Sequence, residues 1–304
     1  MKTMQKLGGW LALMCCWLLA GPAGACLNDH AATRLDGSWQ SSDDNSYVMR
    51  QPPVGRNLAA EAPDNRRRLR QLDSLWRTRH QLADYAGYGL VLVHLGRYAE
   101  ARKVFEQLDT WQPNQYETTA NLGTVYELLG QPYLALKWIQ KSIELNPRSH
   151  QGTEWLHVNI LQAKLRGARA INAEYLLGVD FGQAAAPVLS LRGSRPLDSI
   201  QHALHYQLSE RLSFVHPPDP IMAELLFDLG NAYALTSNVE SAERVYAQAA
   251  EFGYGGPLLW KRRAYFWWLR DGHDAVVTAV LLVLLGLGGF GLWRLGKAVR
   301  RRFA

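Results

Sequence analysis

Two uncharged apolar runs bracket the chain, Leu7 to Ala20 near the start and Ala275 to Trp293 (AVVTAVLLVLLGLGGFGLW) near the end. Between them apolar residues recur three and four positions apart, the spacing of one helix face. Asp64 is placed to cap a helix over 64–81, where Leu69, Leu72, Leu75 and Trp76 share a side. Arg66, Arg67, Arg68, Arg70, Arg77 and Arg79 fall elsewhere on that helix and read as a solvated face of a capping element. Residues 26–63 lack periodicity; the polar run Ser41 to Ser46 and the pair Pro52-Pro53 predict an extended lead-in. Thr153 to Leu165 predicts a further amphipathic helix, Gly178 to Pro196 a loop, and Ser199 to Leu212 a helix whose Ile200, Leu204, Leu208 and Leu212 form a core stripe.

A second period overlies the first. Gly89, Gly96, Ala101 and Pro113 recur 34 residues on, at Gly123, Gly130, Ala135 and Pro147. A unit of this length, with small residues inside two helices, glycine between them and proline after them, resembles the tetratricopeptide repeat. The resemblance covers 82–115 and 116–149, and again 223–256, where Gly230, Tyr233, Ala242 and Ala249 keep the offsets. It implies an all-α helical solenoid, with 150–222 as degenerate repeats plus an insert. Asp219 and Pro220 supply a cap and a first-turn proline for the opening helix of the last unit.

The two ends add export and anchoring to this picture. Lys2 and Lys6, the apolar run, the helix-breaking Pro22 and Ala23-Gly24-Ala25 make residues 1–25 a signal peptide. The tetrapeptide ending at Cys26 resembles a bacterial lipobox but lacks Leu three residues before the cysteine, so ordinary cleavage after Ala25 fits better. Such cleavage leaves Cys26 as the sole cysteine and excludes an internal disulfide. At the other end, Ala275 to Trp293 would span roughly 28 Å as a helix, close to a bilayer core. The expectation is a juxtamembrane stretch 257–273, a transmembrane helix 274–294 and a basic tail 295–304. The export signal and the basic residues that follow the apolar run, Arg294, Lys297, Arg300, Arg301 and Arg302, set that tail in the cytoplasm. With no glycosylation sequon and no disulfide, the chain reads as a bacterial inner-membrane protein with its repeats in the periplasm.

The formal net charge is +6, but the excess lies near the chain ends and the membrane segment, so no nucleic-acid partner is implied. The sequence holds no Gly-x-Ser-x-Gly elbow, phosphate-binding loop or His-Glu-x-x-His, and no cofactor is implied. His202 with His205, and His150 with Glu154 and His157, are too few on any one helix for a metal site and read as packed or solvated.

In the family that the repeats resemble, the first helix of each unit lines a binding groove. Carried over, that places Leu90 and Val93, then Glu117, Thr124 and Glu127, then Glu224, Phe227 and Asn231 on the groove. Relatives that clamp a peptide carboxylate use Lys and Asn there. This chain has Asn231, but Ala86, Ala120 and Phe227 stand where Lys would. An apolar and acidic groove for a helix or extended segment is implied instead. The function expected is a non-catalytic adaptor that helps assemble an envelope complex. A self-associating structural protein and a metal-dependent enzyme using 150–222 are the alternatives.

Overall fold

The computed structural model describes residues 51–302; the expected signal peptide and most of the lead-in lie outside them. Among the described residues twelve α-helices follow one another. They are α1 (Leu58–Arg79), α2 (Leu82–His94), α3 (Tyr98–Trp111), α4 (Tyr116–Leu128), α5 (Pro132–Leu145) and α6 (Glu154–Arg166), then α7 (Ala173–Leu177), α8 (Leu197–Arg211), α9 (Pro220–Leu235), α10 (Val239–Glu251), α11 (Pro257–Trp267) and α12 (His273–Arg302). From α1 to α6, and again from α8 to α11, each helix packs on the next.

The glycines at equivalent positions explain the tightness of the pairs. A Cβ on Gly89 would lie 2.9 Å from Val104 and Phe105, one on Gly123 2.5 Å from Ile139, and one on Gly230 2.5 Å from Tyr246. In each pair the missing side chain lets a large residue of the second helix fill the gap. Ala101, Ala135 and Ala242 are fully buried on those second helices.

The turns match as well. Gly96 and Gly130 adopt φ of 72° and 71°. The amides of Arg97 and Gln131 donate to the carbonyls of Leu92 and Tyr126 at 2.9 Å. Between α9 and α10 the same place is taken by Ser237, with φ of 60°, and Asn238 N donates to Tyr233 O at 2.9 Å.

Two apolar cores result. One joins α1 to α5, with Val91, Leu92, Phe105, Leu122 and Ile139 buried and Phe214 packed against it. The other joins α6 to α11 around Leu156, Ile160, Leu204, Leu226 and Tyr233. Trp76 stacks on Tyr85 at 4.6 Å and meets Trp111 at 5.5 Å, closing the first end of the stack.

Two helix boundaries and one loop differ from expectation. Helix α1 begins at Leu58, ahead of Asp64, because the Asn57 side chain accepts from Ala60 N at 3.0 Å. Pro63 falls in the second turn of this helix, past the first amide-to-carbonyl bond from Glu61 to Asn57, and so withholds one ladder bond there. Helix α8 runs from Leu197 rather than Ser199. The loop 178–196 contains a short antiparallel pair, β1 (Val179–Asp180) with β2 (Ser190–Leu191), in the register Val179 to Leu191. Gly178, with φ of 71°, ends α7, and its carbonyl accepts from Arg192 N and Gly193 N at 2.8 and 2.9 Å.

After α11 a π turn, Trp268–Gly272, leads directly into α12. Within Asp274–Lys297 an 18-residue window reaches a mean hydropathy of 2.4, and the helix is long and apolar enough to cross a membrane.

Candidate functional site

The region between the two cores is polar. Glu127, near the end of α4, is almost wholly buried and accepts from Arg211 Nη1 of α8 at 2.7 Å, Lys164 Nζ of α6 at 2.6 Å and His157 Nε2 at 2.7 Å. His157 Nδ1 lies 3.1 Å from Glu154 Oε2, and the other Glu154 oxygen bonds to His150 Nδ1. His150 also stacks on Tyr206 of α8. Charges on α4, α6 and α8 thus alternate in sign along one buried line.

Burial by itself would raise the pKa of Glu127. Arg211, His157 and Lys164 overcome it and hold this carboxyl well below the usual range. Burial likewise opposes ionisation of Glu154, and His150 and His157 again reverse it. For His157 burial disfavours the charged ring, but the carboxylates of Glu127 and Glu154 outweigh it and its pKa is raised. The cluster holds ionised groups because each has an opposite charge at hydrogen-bond distance.

Beside this line opens a cavity of about 280 Å³, lined by Thr124, Glu127, Leu128, His157 and Lys164 on one side and by Glu210, Arg211, Phe214, Val215 and His216 on the other. The segment after α8 builds the second wall, and Phe214 stacks on His94 of α2 at 6.5 Å. The Thr124 hydroxyl is buried without a hydrogen-bond partner. The cavity therefore offers an apolar wall, cations from Lys164 and Arg211, and one unused hydroxyl, which suits a side chain or an end of a peptide.

The structure brings Thr124 and Glu127 together in this cavity. Leu90 and Val93 lie in the first apolar core, and Glu117 is buried on α4. Glu224, Phe227 and Asn231 lie apart, on α9.

Asn231 is fully buried. Its Oδ1 accepts from Tyr246 OH at 2.8 Å and Arg262 Nη1 at 2.5 Å, and its Nδ2 donates to Asp228 at 3.3 Å. Arg262 stacks over Phe227 at 5.1 Å and donates to the carbonyls of Phe181, Gly182 and Ala184 at 2.9, 2.6 and 3.2 Å. The side chains of Phe227 and Asn231 are thus spent inside the chain, where the insert that carries β1 covers them. Burial, and the nearness of Glu224, raise the Asp228 pKa well above normal against the pull of Arg262. Burial also pushes Glu224 up to about 7.

Arg211 and His216 join the site without any signal in the repeat pattern, since α8 and its following turn belong to no recognisable unit, and Lys164 joins it from α6, outside the matched repeats. No group of His, Cys, Asp and Glu suited to a metal occurs among the described residues.

These paired helices, with glycine at the crossing and in the turn, define a helical-repeat protein of a kind that typically serves as a non-catalytic interaction scaffold. Residues 85–115 and 116–149 match the tetratricopeptide repeat, so this chain carries two such repeats. Among solved structures it is similar to YrrB, described as a TPR protein with an unusual peptide-binding site, at 21% identity over 67% of this chain and 85% of that one (TM-score 0.33). It is also similar to a MamA double mutant, at 14% identity over 70% of this chain and 96% of that one (TM-score 0.35). No curated protein matches the sequence.

Proposed function

We propose that the chain is a membrane-tethered scaffold that binds a peptide or helix of another protein at the cavity between its two cores, and so assists assembly of a bacterial envelope complex. The observation that carries this reading is the cavity itself, where Thr124 and Glu127 of a tetratricopeptide repeat meet Arg211 and Phe214 of the insert. Its charged groups are locked in ion pairs rather than arranged around a reacting atom. The helix α12 supports the tether, and the export signal read in the sequence supports a periplasmic place for the repeats. A tether raises the effective concentration of the cavity for partners in the same membrane.

Site-specific photo-crosslinking in cells tests the proposal. His216 is exposed at the cavity rim, and Lys137 is exposed on α5 outside it. One dominant foreign protein captured from His216 and not from Lys137 is the expected result. Capture of a second copy alone would favour a self-associating structural role, for which the glycines at 286, 288, 289 and 291 thin α12 and allow close helix packing. Equal capture from both positions would remove the cavity from the account.

A further inference from the structure

Residues 51–56 belong to no helix pair, yet they are held far along the chain. The carbonyl of Gln51 accepts from Tyr233 OH at 2.6 Å and from His205 Nε2 at 3.2 Å. The amide of Arg56 donates to Ser213 Oγ at 2.9 Å. Gly55 runs so close to the backbone of Leu212 that a Cβ would lie 2.3 Å from its carbonyl carbon. Pro53 is buried between these points, whereas Val54 is 79% exposed. Arg56 forms an ion pair with Glu61 at 2.5 Å and reaches His94 Nε2 at 3.4 Å, the ring that stacks on Phe214 at the cavity wall.

Every anchor along 51–55 is a backbone atom, a proline ring or the lack of a side chain. Extended peptides are recognised in this way, with proline lowering the entropy lost on ordering and main-chain groups making the hydrogen bonds. The receiving side chains come from α8, the turn after it and α9, the same elements that wall the cavity or adjoin it.

We propose that residues 51–56 are a resident ligand of a peptide site on α8 and α9, and that the partner is an extended segment of the same chemistry which displaces them. The partner presents a proline to the place of Pro53, glycine opposite Leu212 and a basic residue toward Glu61, the order Pro-x-Gly-Arg of residues 53–56. This rests on the scaffold reading above and gives it a partner chemistry and a switch. The apparent affinity for that partner is reduced by the fraction of molecules whose own segment is seated.

The test uses the full chain in detergent, the variant Gly55→Val and a fluorescent peptide of sequence QPPVGRN. The expected result has two parts. Hydrogen exchange at the Arg56 amide accelerates in the variant, and the peptide binds the variant about tenfold or more tightly than the wild type. Tyr233→Phe, added to Gly55→Val, weakens that binding about fivefold through one lost hydrogen bond. A peptide with valine in place of its glycine does not bind.

A variant whose Arg56 amide exchanges freely but which ignores the peptide overturns the proposal, and so does unchanged protection of that amide. Should Gly55→Val fail to fold, Pro53→Ala removes a buried anchor of the segment without a clash and leaves the receiving site whole. It is then expected to speed exchange at Arg56 and admit more peptide than the wild type, and no gain in either overturns the proposal. If the peptide fails while a probe at His216 still captures a foreign protein, the scaffold reading stands and the resident ligand falls.

Discussion

Two buried polar clusters hold the irregular middle of the chain to its repeats, and they do so by opposite means. Around Glu127 each carboxylate meets cations, so charge compensates charge across α4, α6 and α8. Around Arg262 the guanidinium spends its hydrogen bonds on backbone carbonyls of 181–184 and on Asn231, while Glu224 and Asp228 share one region of α9 with raised pKa values. The first cluster is stabilised by ionisation. The second is stabilised when at least one carboxyl keeps its proton. Segments without a repeat pattern are thus fastened by a few long-range polar anchors, whereas the repeats are fastened by glycine against large side chains.

The largest break in this comparison is expected from Arg262→Ala. Arg262 is fully buried, and its loss strands the carbonyls of 181, 182 and 184 together with Asn231. A loss of about 4 kcal/mol, the scale for breaking a buried charged network, is expected in denaturant titration of the detergent-solubilised chain. Earlier proteolysis within 181–186 should accompany it.

Glu127→Gln comes next, at about 3 kcal/mol, because Arg211, Lys164 and His157 lose their shared carboxylate. The same change should lower the His157 pKa, readable by NMR titration of the ring. Adding Arg211→Met should restore part of the stability, and no recovery would mean that the two groups are not energetically coupled.

pH separates the clusters further. Glu224 has a folded pKa raised from 4.5 to about 7, so its contribution is fully present below about 4.5 and is lost as pH rises toward and through 7. Glu127 has a folded pKa below its unfolded value, so its contribution is present above the unfolded value and is lost as pH falls through the folded one. Stability plotted against pH should therefore decline between about 4.5 and 7, and Glu224→Gln should make that limb shallower, with Asp228 and His157 still contributing to it, while leaving the acid limb intact. A limb unchanged in Glu224→Gln would assign the decline to another group.

The smallest expected effect sharpens the likeness of the repeats. Ser237 holds the left-handed turn that glycine holds at 96 and 130. Ser237→Gly should raise stability by about 0.5 kcal/mol, the backbone relief at positive φ less the added entropy of the unfolded chain. A fall in the unfolding midpoint would show that the serine side chain contributes there.

The helix pairs at 82–149 and 223–256 were legible because spacing alone carries them. Gly89, Gly123 and Gly230 announce the close crossings directly, and even the turn at Ser237 follows from its offset. The His150, Glu154 and His157 set was visible on one helix, but its meaning was not. Glu127 and Arg211 come from α4 and α8, and no local pattern links residues so far apart. The start of α1 was missed because Asn57 caps as well as Asp64 would, and the apolar period begins only later. The seating of Phe227 and Asn231 against Arg262 depends on an insert whose path is set by hydrogen bonds to carbonyls, which leave no trace in side-chain periodicity.

The π turn between α11 and α12 has a mechanical consequence. Trp268 folds over Gly272, where a Cβ would come within 2.5 Å of its ring, so the joint is filled rather than open. No loop intervenes between the last packed helix and the apolar one. A slack leash would let the repeats tumble over a hemisphere. With α12 as the proposed tether, a filled helical joint would make them a signpost instead, with height and bearing set by whatever grips α12, so that reaching a partner would be a matter of alignment as much as of distance.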